Sequence, residues 1–184
     1  MAAQEADPVH RMVHVMTTLM SGFYSVPKRM GKPFNPMLGE TFELVAPDFR
    51  YFSEQVSHHP PIACFNIEGL NFRVQRQMET VQHFTGKCVK IHDKNSSMYC
   101  LKLPNGSTET YISNDPMMVV GNLFVGKLFI EPQGAAQMTC QDTGVTCQVE
   151  YRARSGWTTK PENENYVTAT IKDARGIEVY KIQG

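Results

Sequence analysis

The chain has 184 residues, with 18 Lys and Arg balancing 18 Asp and Glu, and 41% hydrophobic side chains. That length suits one domain with a sizeable core, and a net charge of zero disfavours a nucleic-acid surface, which would be basic. Cys64, Cys88, Cys100, Cys140 and Cys147 are widely spaced and hold no Cys-x-x-Cys pair, which argues against a disulfide framework or zinc ribbon and for a reducing compartment.

The N-terminus is polar and acidic, without the pattern of a signal peptide. Asp7 suits an N-cap and Pro8 the first helical position. Val9, Met12, Val13, Met16, Met20 and Phe23 follow at helical spacing, and Gly22 is a stop signal, so the pattern predicts a helix over 8–22. Its polar face lacks the Lys and Arg of a membrane-lying helix, so its apolar face is expected to pack against the domain.

From Thr41 to the end (41–184) the period changes to two. Phe72, Val74 and Met78 alternate with Arg73, Gln75 and Gln77; Val145, Cys147, Val149 and Tyr151 alternate with Thr146, Gln148, Glu150 and Arg152. Such alternation gives a wet face and a buried face. Turns are predicted at Pro47-Asp48, Glu68-Gly69, Asp93–Asn95, Pro104–Gly106, Pro132–Gly134, Asp142–Gly144 and Asp173–Gly176. They leave little room for crossover helices, so the fold class is mainly β: an antiparallel meander closing into a large, incomplete β-barrel behind a short N-terminal helix. The apolar run Val119–Gly126 is expected to line its interior, and 161–165 reads as an exposed loop. No apolar run approaches the ~20 residues that span a bilayer, so membrane contact is expected to be peripheral.

The most unusual stretch is Glu54-Gln55-Val56-Ser57-His58-His59-Pro60-Pro61. The prolines push the residues before them out of the α region, so His59 is expected to be extended and rigid. Fixed imidazoles offer N–H donors and a tunable positive charge near neutral pH, which suits an anion such as phosphate, or a metal. The residues themselves do not choose between the two. A metal site on His58, His59 and Glu54 lacks a third convergent ligand, since adjacent residues on an extended segment point apart. Ser57 lacks the Gly-x-Ser-x-Gly setting of an activated nucleophile.

This octapeptide resembles the fingerprint of the oxysterol-binding protein family, and Lys32-Pro33-Phe34-Asn35-Pro36-Met37-Leu38-Gly39-Glu40 is similar to that family's other characteristic block. Asp7-Pro8 with Arg11-Met12 resembles the family's lead-in. Gly121–Ile130 resembles its central hydrophobic strand, with Phe129 where tryptophan is commoner. The resemblance covers nearly the whole chain. It implies a barrel around a lipid-sized tunnel and a non-enzymatic role in lipid binding and intermembrane lipid transfer, without a cofactor or catalytic residue. The implied ligand is phosphatidylinositol 4-phosphate, with a sterol as the second ligand of many members. His58 and His59 match the headgroup histidines and Lys32 the headgroup lysine, with Pro33, Phe34 and Asn35 as adjoining contacts. The implied setting is cytoplasmic and peripheral to membranes. The span 1–184 is expected to be the central part of the family's domain, with the lid and C-terminal region absent. Alternatives are an interaction module pairing through exposed strand edges, or a phospholipid-headgroup hydrolase using His58 and His59. Glu40 is expected to form an ion pair or accept backbone hydrogen bonds. Lys28 and Arg29 suit either an anionic membrane surface or solvent.

Overall fold

A computed structural model describes residues 1–26, 31, 34–153 and 166–183. A short 3-10 turn, Ala2–Gln4, precedes helix α1, Pro8–Tyr24. Asp7 caps α1 as its sequence implies: its Oδ1 accepts the Val9 N–H at 2.8 Å. Gly22 does not end the helix, which runs two residues further to Tyr24. Glycine stops a helix by adopting positive φ just beyond it, and Gly22 keeps negative φ inside the last turn. Arg11, Met12, Val15, Met16 and Leu19 form the buried stripe, so the apolar face is centred differently from the one predicted and includes an arginine.

Twelve strands follow among the described residues: β1 Thr41–Val45, β2 Phe49–His58, β3 Pro61–Gly69, β4 Phe72–Phe84, β5 Val89–Asp93 and β6 Ser97–Lys102, then β7 Thr108–Asn114, β8 Met117–Gly121, β9 Phe129–Cys140, β10 Thr146–Tyr151, β11 Val167–Lys172 and β12 Glu178–Gln183. All pair antiparallel in one sheet whose main path runs β1-β2-β3-β4-β5-β8-β9-β10-β11-β12. This is the mainly-β, partly ringed sheet that the alternation predicts, and no described pairing joins β1 to β12.

The meander has one departure. The first half of β4 pairs with β6 and its second half with β5; β9 likewise pairs with β8 and then β7. Arg76 pins the fork, donating to Asp93 at 2.7 Å and to Asp115 at 2.5 Å. Asp93 ends β5 and Asp115 lies between β7 and β8, so one half-buried guanidinium ties β4 to both segments. Where β9 changes partner, Gly134 has φ +81°. Pro132–Gly134, predicted as a turn, is therefore an irregularity inside a strand. Proline is tolerated there because β9 departs from a regular ladder. The 121–130 stretch is also not one strand, since Asn122 at φ 59° and Gly126 at φ 93° turn the chain between β8 and β9.

Pairing register assigns the faces. Tyr51, Phe65, Ile67 and Val74 share the face that continues through Tyr99 and Leu101 to Tyr111. Helix α1 packs on that face against β9, β10 and β11, burying Met12 and Met16 with Met138, Val149 and Ile171. The opposite face carries Arg50, Glu68, Arg73, Gln75 and Gln77, with Arg73 paired to Glu68 at 2.7 Å. Among the described residues no helix packs closely over β1–β3, and β1 is exposed along its length. The sheet is packed at one side and hollow at the other. The predicted loop at 161–165 lies outside the described residues.

Candidate headgroup site

The histidine pair sits at the β2–β3 hairpin. His58 ends β2 opposite Pro61, while His59 and Pro60 form the two-residue turn. The His59–Pro60 peptide is cis. The imidazole centroids are 4.6 Å apart with planes at 60°. The expectation that His59 continues an extended segment, with adjacent side chains pointing apart, is therefore corrected. That alternation holds only within a strand, and the chain turns between these two residues. Both rings are exposed.

The approach to the hairpin is shaped by a register shift between Gln55 and Ser57. A bulge re-aims the side chains that follow it. Gln55 is buried, and its Nε2 donates to the Ser57 carbonyl at 2.8 Å, bridging the bulge. The backbone of Gln55 also joins the two fingerprint stretches. Its N–H donates to the Glu40 carbonyl at 3.0 Å and its carbonyl accepts the Gly39 N–H at 2.8 Å.

Met37–Glu40 is closed as a turn by Glu40 N–H donating to the Met37 carbonyl at 3.0 Å. The Glu40 Oε2 accepts the Met37 N–H at 2.7 Å, the backbone-accepting role expected of it. Gly39 has φ +77°, a conformation that costs an L side chain about 1–2 kcal/mol. The residues that make this joint, Gly39, Glu40 and Gln55, had no assigned site role in the sequence. The glycine between Leu38 and Glu40 is the one signal that marks it.

Phe34 is fully exposed on the approach to this turn, followed by Asn35. Lys32 and Pro33 lie outside the described residues, as do Lys28 and Arg29. Among the described residues no group of three His, Cys, Asp or Glu is placed to hold a metal. The hairpin thus offers two exposed imidazoles on a strand end braced by a second loop, an arrangement that can donate hydrogen bonds to an anion.

A cavity of about 1190 Å³ lies at the other end of these strands. Ala3 and Val15 bound it on one side, and Ile67, Val74, Tyr99 and Leu101 on the other. β2 has 10 residues from cavity to hairpin, roughly 30 Å at ~3.3 Å per residue. Between them an aromatic row crosses the inner face. Phe42 meets Tyr51 edge-on at 6.0 Å, and Tyr51 stacks on Phe65 at 5.8 Å. Under α1 the interior is closely packed, and burial pushes the Cys147 thiol up to about 12 and raises the Tyr151 hydroxyl.

The family model for oxysterol-binding protein matches residues 1–184. Oxysterol-binding protein-related protein 1 of Homo sapiens is 41% identical over 155 residues, which cover 82% of this chain and 16% of that protein. Oxysterol-binding protein-related protein 6 of Homo sapiens is 34% identical over 187 residues, covering 100% of this chain and 19% of that protein. The chain thus spans less than a fifth of the length of either relative. Among solved structures, the Osh1 ORD domain in complex with cholesterol superposes with a TM-score of 0.90 at 28% identity, covering 100% of this chain and 43% of that one. The Osh3 ORD in complex with PI(4)P from Saccharomyces cerevisiae shares the fold, with a TM-score of 0.71 at 23% identity, covering 98% of this chain and 53% of that one. No helix among the described residues is long and apolar enough to cross a membrane. Sequence match and architecture agree: the chain belongs to the oxysterol-binding protein family.

Proposed function

We propose that this chain binds phosphatidylinositol 4-phosphate and carries it between membranes, as the central part of a cytoplasmic, membrane-peripheral lipid-transfer domain. The carrying observation is the pair of imidazoles, 4.6 Å apart and solvent-open, at one end of a sheet whose inner face carries an aromatic row and is exposed along β1. The headgroup contacts in this reading are Lys32, Pro33, Phe34, Asn35, His58 and His59. The last two donate to phosphate in charge-assisted hydrogen bonds of about 1.5–3 kcal/mol each. Acyl chains run along Phe42, Tyr51 and Phe65 toward the 1190 Å³ cavity. Each methylene kept from water there contributes ~0.8 kcal/mol.

The headgroup assignment rests on the two fingerprint stretches and on their hydrogen-bonded joint at Gln55. A sterol is the second ligand in this reading, supported by the cholesterol and ergosterol complexes of the 28% and 27% identical Osh1 domain. The role is non-enzymatic, because shielding a lipid from water needs no bond to be made or broken. The test is transfer of labelled phosphatidylinositol 4-phosphate from donor to acceptor vesicles. The reading requires transfer that saturates with the chain and is inhibited by a sterol. No transfer above the spontaneous rate contradicts it.

A further inference from the structure

The sheet end that carries His58 and His59 also carries two hairpin tips that the headgroup reading leaves unused. β4 continues about 17 Å from Glu79, the partner of Ile62, to Phe84 at ~3.4 Å per residue, and so passes the His59–Pro60 turn that lies two to three residues beyond Ile62. The β8–β9 loop, 122–128, comes out at the same end, because Val89 pairs with both Phe84 and Val120. The tips meet through Phe84 and Phe124, whose rings pack edge-on at 6.4 Å.

Even so, both rings remain open to solvent, Phe84 by 56% and Phe124 by 76%, beside Val125 at 66% and Leu128 at 40%. The β8–β9 loop is built to hold them out. Asn122 adopts φ 59° and its Nδ2 donates to the Lys127 carbonyl at 3.0 Å, while Gly126 at φ 93° packs against the Asn122 side chain. An apolar cluster on a closed, hydrogen-bonded loop is not an unfilled piece of core, and exposed patches of this kind mark contact surfaces.

Charge identifies the contact. Residues 82–92 and 116–130 contain Lys87, Lys90 and Lys127 but no Asp or Glu. Lys87 and Lys127 are exposed beside the apolar tips. Bulky apolar side chains flanked by lysines fit a bilayer with anionic headgroups, where the rings enter the boundary layer and the ammonium groups stay at the phosphates.

We propose that the β4–β5 and β8–β9 tips form a membrane anchor that inserts Phe84, Phe124 and Val125 into an anionic lipid surface, turning the His58–His59 end of the barrel toward it. The tips overhang the histidine hairpin along the strand direction, so they reach the bilayer first. This orientation rests on the proposed headgroup site, but the anchor itself is tested without it.

The test is flotation with phosphatidylcholine vesicles, with and without phosphatidylserine and free of phosphoinositide. The unmodified chain and its Phe124→Asp/Val125→Asp variant are compared. The expected result is partitioning that needs phosphatidylserine and falls by about tenfold or more in the variant. Binding of a water-soluble short-chain phosphatidylinositol 4-phosphate, measured on both proteins, reports the headgroup site separately and is expected to be unchanged. Loss of that binding in both proteins would sink the headgroup reading and leave the anchor to the flotation result. A conservative probe guards against misfolding: Phe124→Trp in a Trp157→Phe background is expected to shift its emission to shorter wavelength on anionic vesicles. Unchanged flotation of the double variant, or an emission spectrum that vesicles do not move, would overturn the anchor.

Discussion

Arg11 and Glu109, separated by 98 positions in sequence, are joined by two hydrogen bonds, Nε to Oε2 at 2.8 Å and Nη2 to Oε1 at 2.5 Å. Both residues are buried, at 6% and 5% exposure. The Tyr111 hydroxyl donates to the same carboxylate at 2.6 Å, and Arg11 Nη1 donates to the Glu5 and Ala6 carbonyls at 2.8 and 2.7 Å. Helix α1, the segment before it and strand β7 are thereby fixed to one another by a fully satisfied polar cluster. Arg11→Ala strands a buried carboxylate, so the chain is expected to lose about 3–5 kcal/mol of stability. The check is thermal or urea unfolding, in which Tm is expected to fall by about 6–20 °C.

The same cluster sets an acid limit. Burial acts to raise the Glu109 pKa, but the hydrogen bonds from Arg11 and Tyr111 outweigh it, and the carboxyl sits below its ordinary 4.5. A carboxyl whose folded pKa is depressed contributes stability that is complete above its unfolded pKa and lost as pH falls through the folded one. Unfolding free energy is therefore expected to drop below about pH 4.5, and Glu109→Gln is expected to flatten that part of the profile. Urea midpoints measured from pH 7 down to pH 3 check it; parallel curves for the two proteins would remove Glu109 from the account.

Arg76 offers a second, half-buried test. Its charge is shared between Asp93 and Asp115, and the Asp93 Oδ1 also accepts the Glu79 N–H at 3.0 Å. Burial opposes the guanidinium charge, yet the two aspartates hold its pKa above the ordinary arginine value. Arg76→Ala leaves two carboxylates facing each other at the fork and is expected to cost about 3–5 kcal/mol. Amide exchange should rise first at the end of β5 and in the β7–β8 link, the two segments this side chain ties to β4.

Gly39 separates site geometry from global stability. At φ +77° with open space around its Cα, an added methyl meets no neighbour but strains the backbone by about 1–2 kcal/mol. The strain acts on the turn that docks Gly39 and Glu40 onto Gln55. Gly39→Ala is expected to weaken phosphoinositide binding by about tenfold while moving Tm by only a few degrees. Calorimetric titration beside a thermal melt reads both effects. A large Tm loss with intact binding would place the joint in the fold rather than in the site.

Local chemistry was the legible part of this chain. Asp7 caps its helix because the cap is a contact between residues two apart, and the strands follow from side chains that alternate in place. What escaped depends on distant partners. Arg11 was legible only beside Met12 in the family's lead-in, because nothing near it in sequence reveals Glu109. Pro132–Gly134 carries turn chemistry, yet it lies where β9 passes from β8 to β7, a change of partner that composition does not encode. The two fingerprint stretches were legible as motifs, but their joint through the Gln55 backbone was not, since backbone hydrogen bonds leave no mark on side-chain identity.

The central claim is that the imidazoles of His58 and His59 hold a lipid phosphate. It is tested most directly by calorimetric titration of short-chain phosphatidylinositol 4-phosphate into the chain and into its His58→Ala/His59→Ala variant, with circular dichroism confirming that both are folded. Removing two charge-assisted hydrogen bonds is expected to weaken binding by about 100-fold or more. Equal affinity in the two proteins would contradict the account and move the phosphate away from the β2–β3 hairpin.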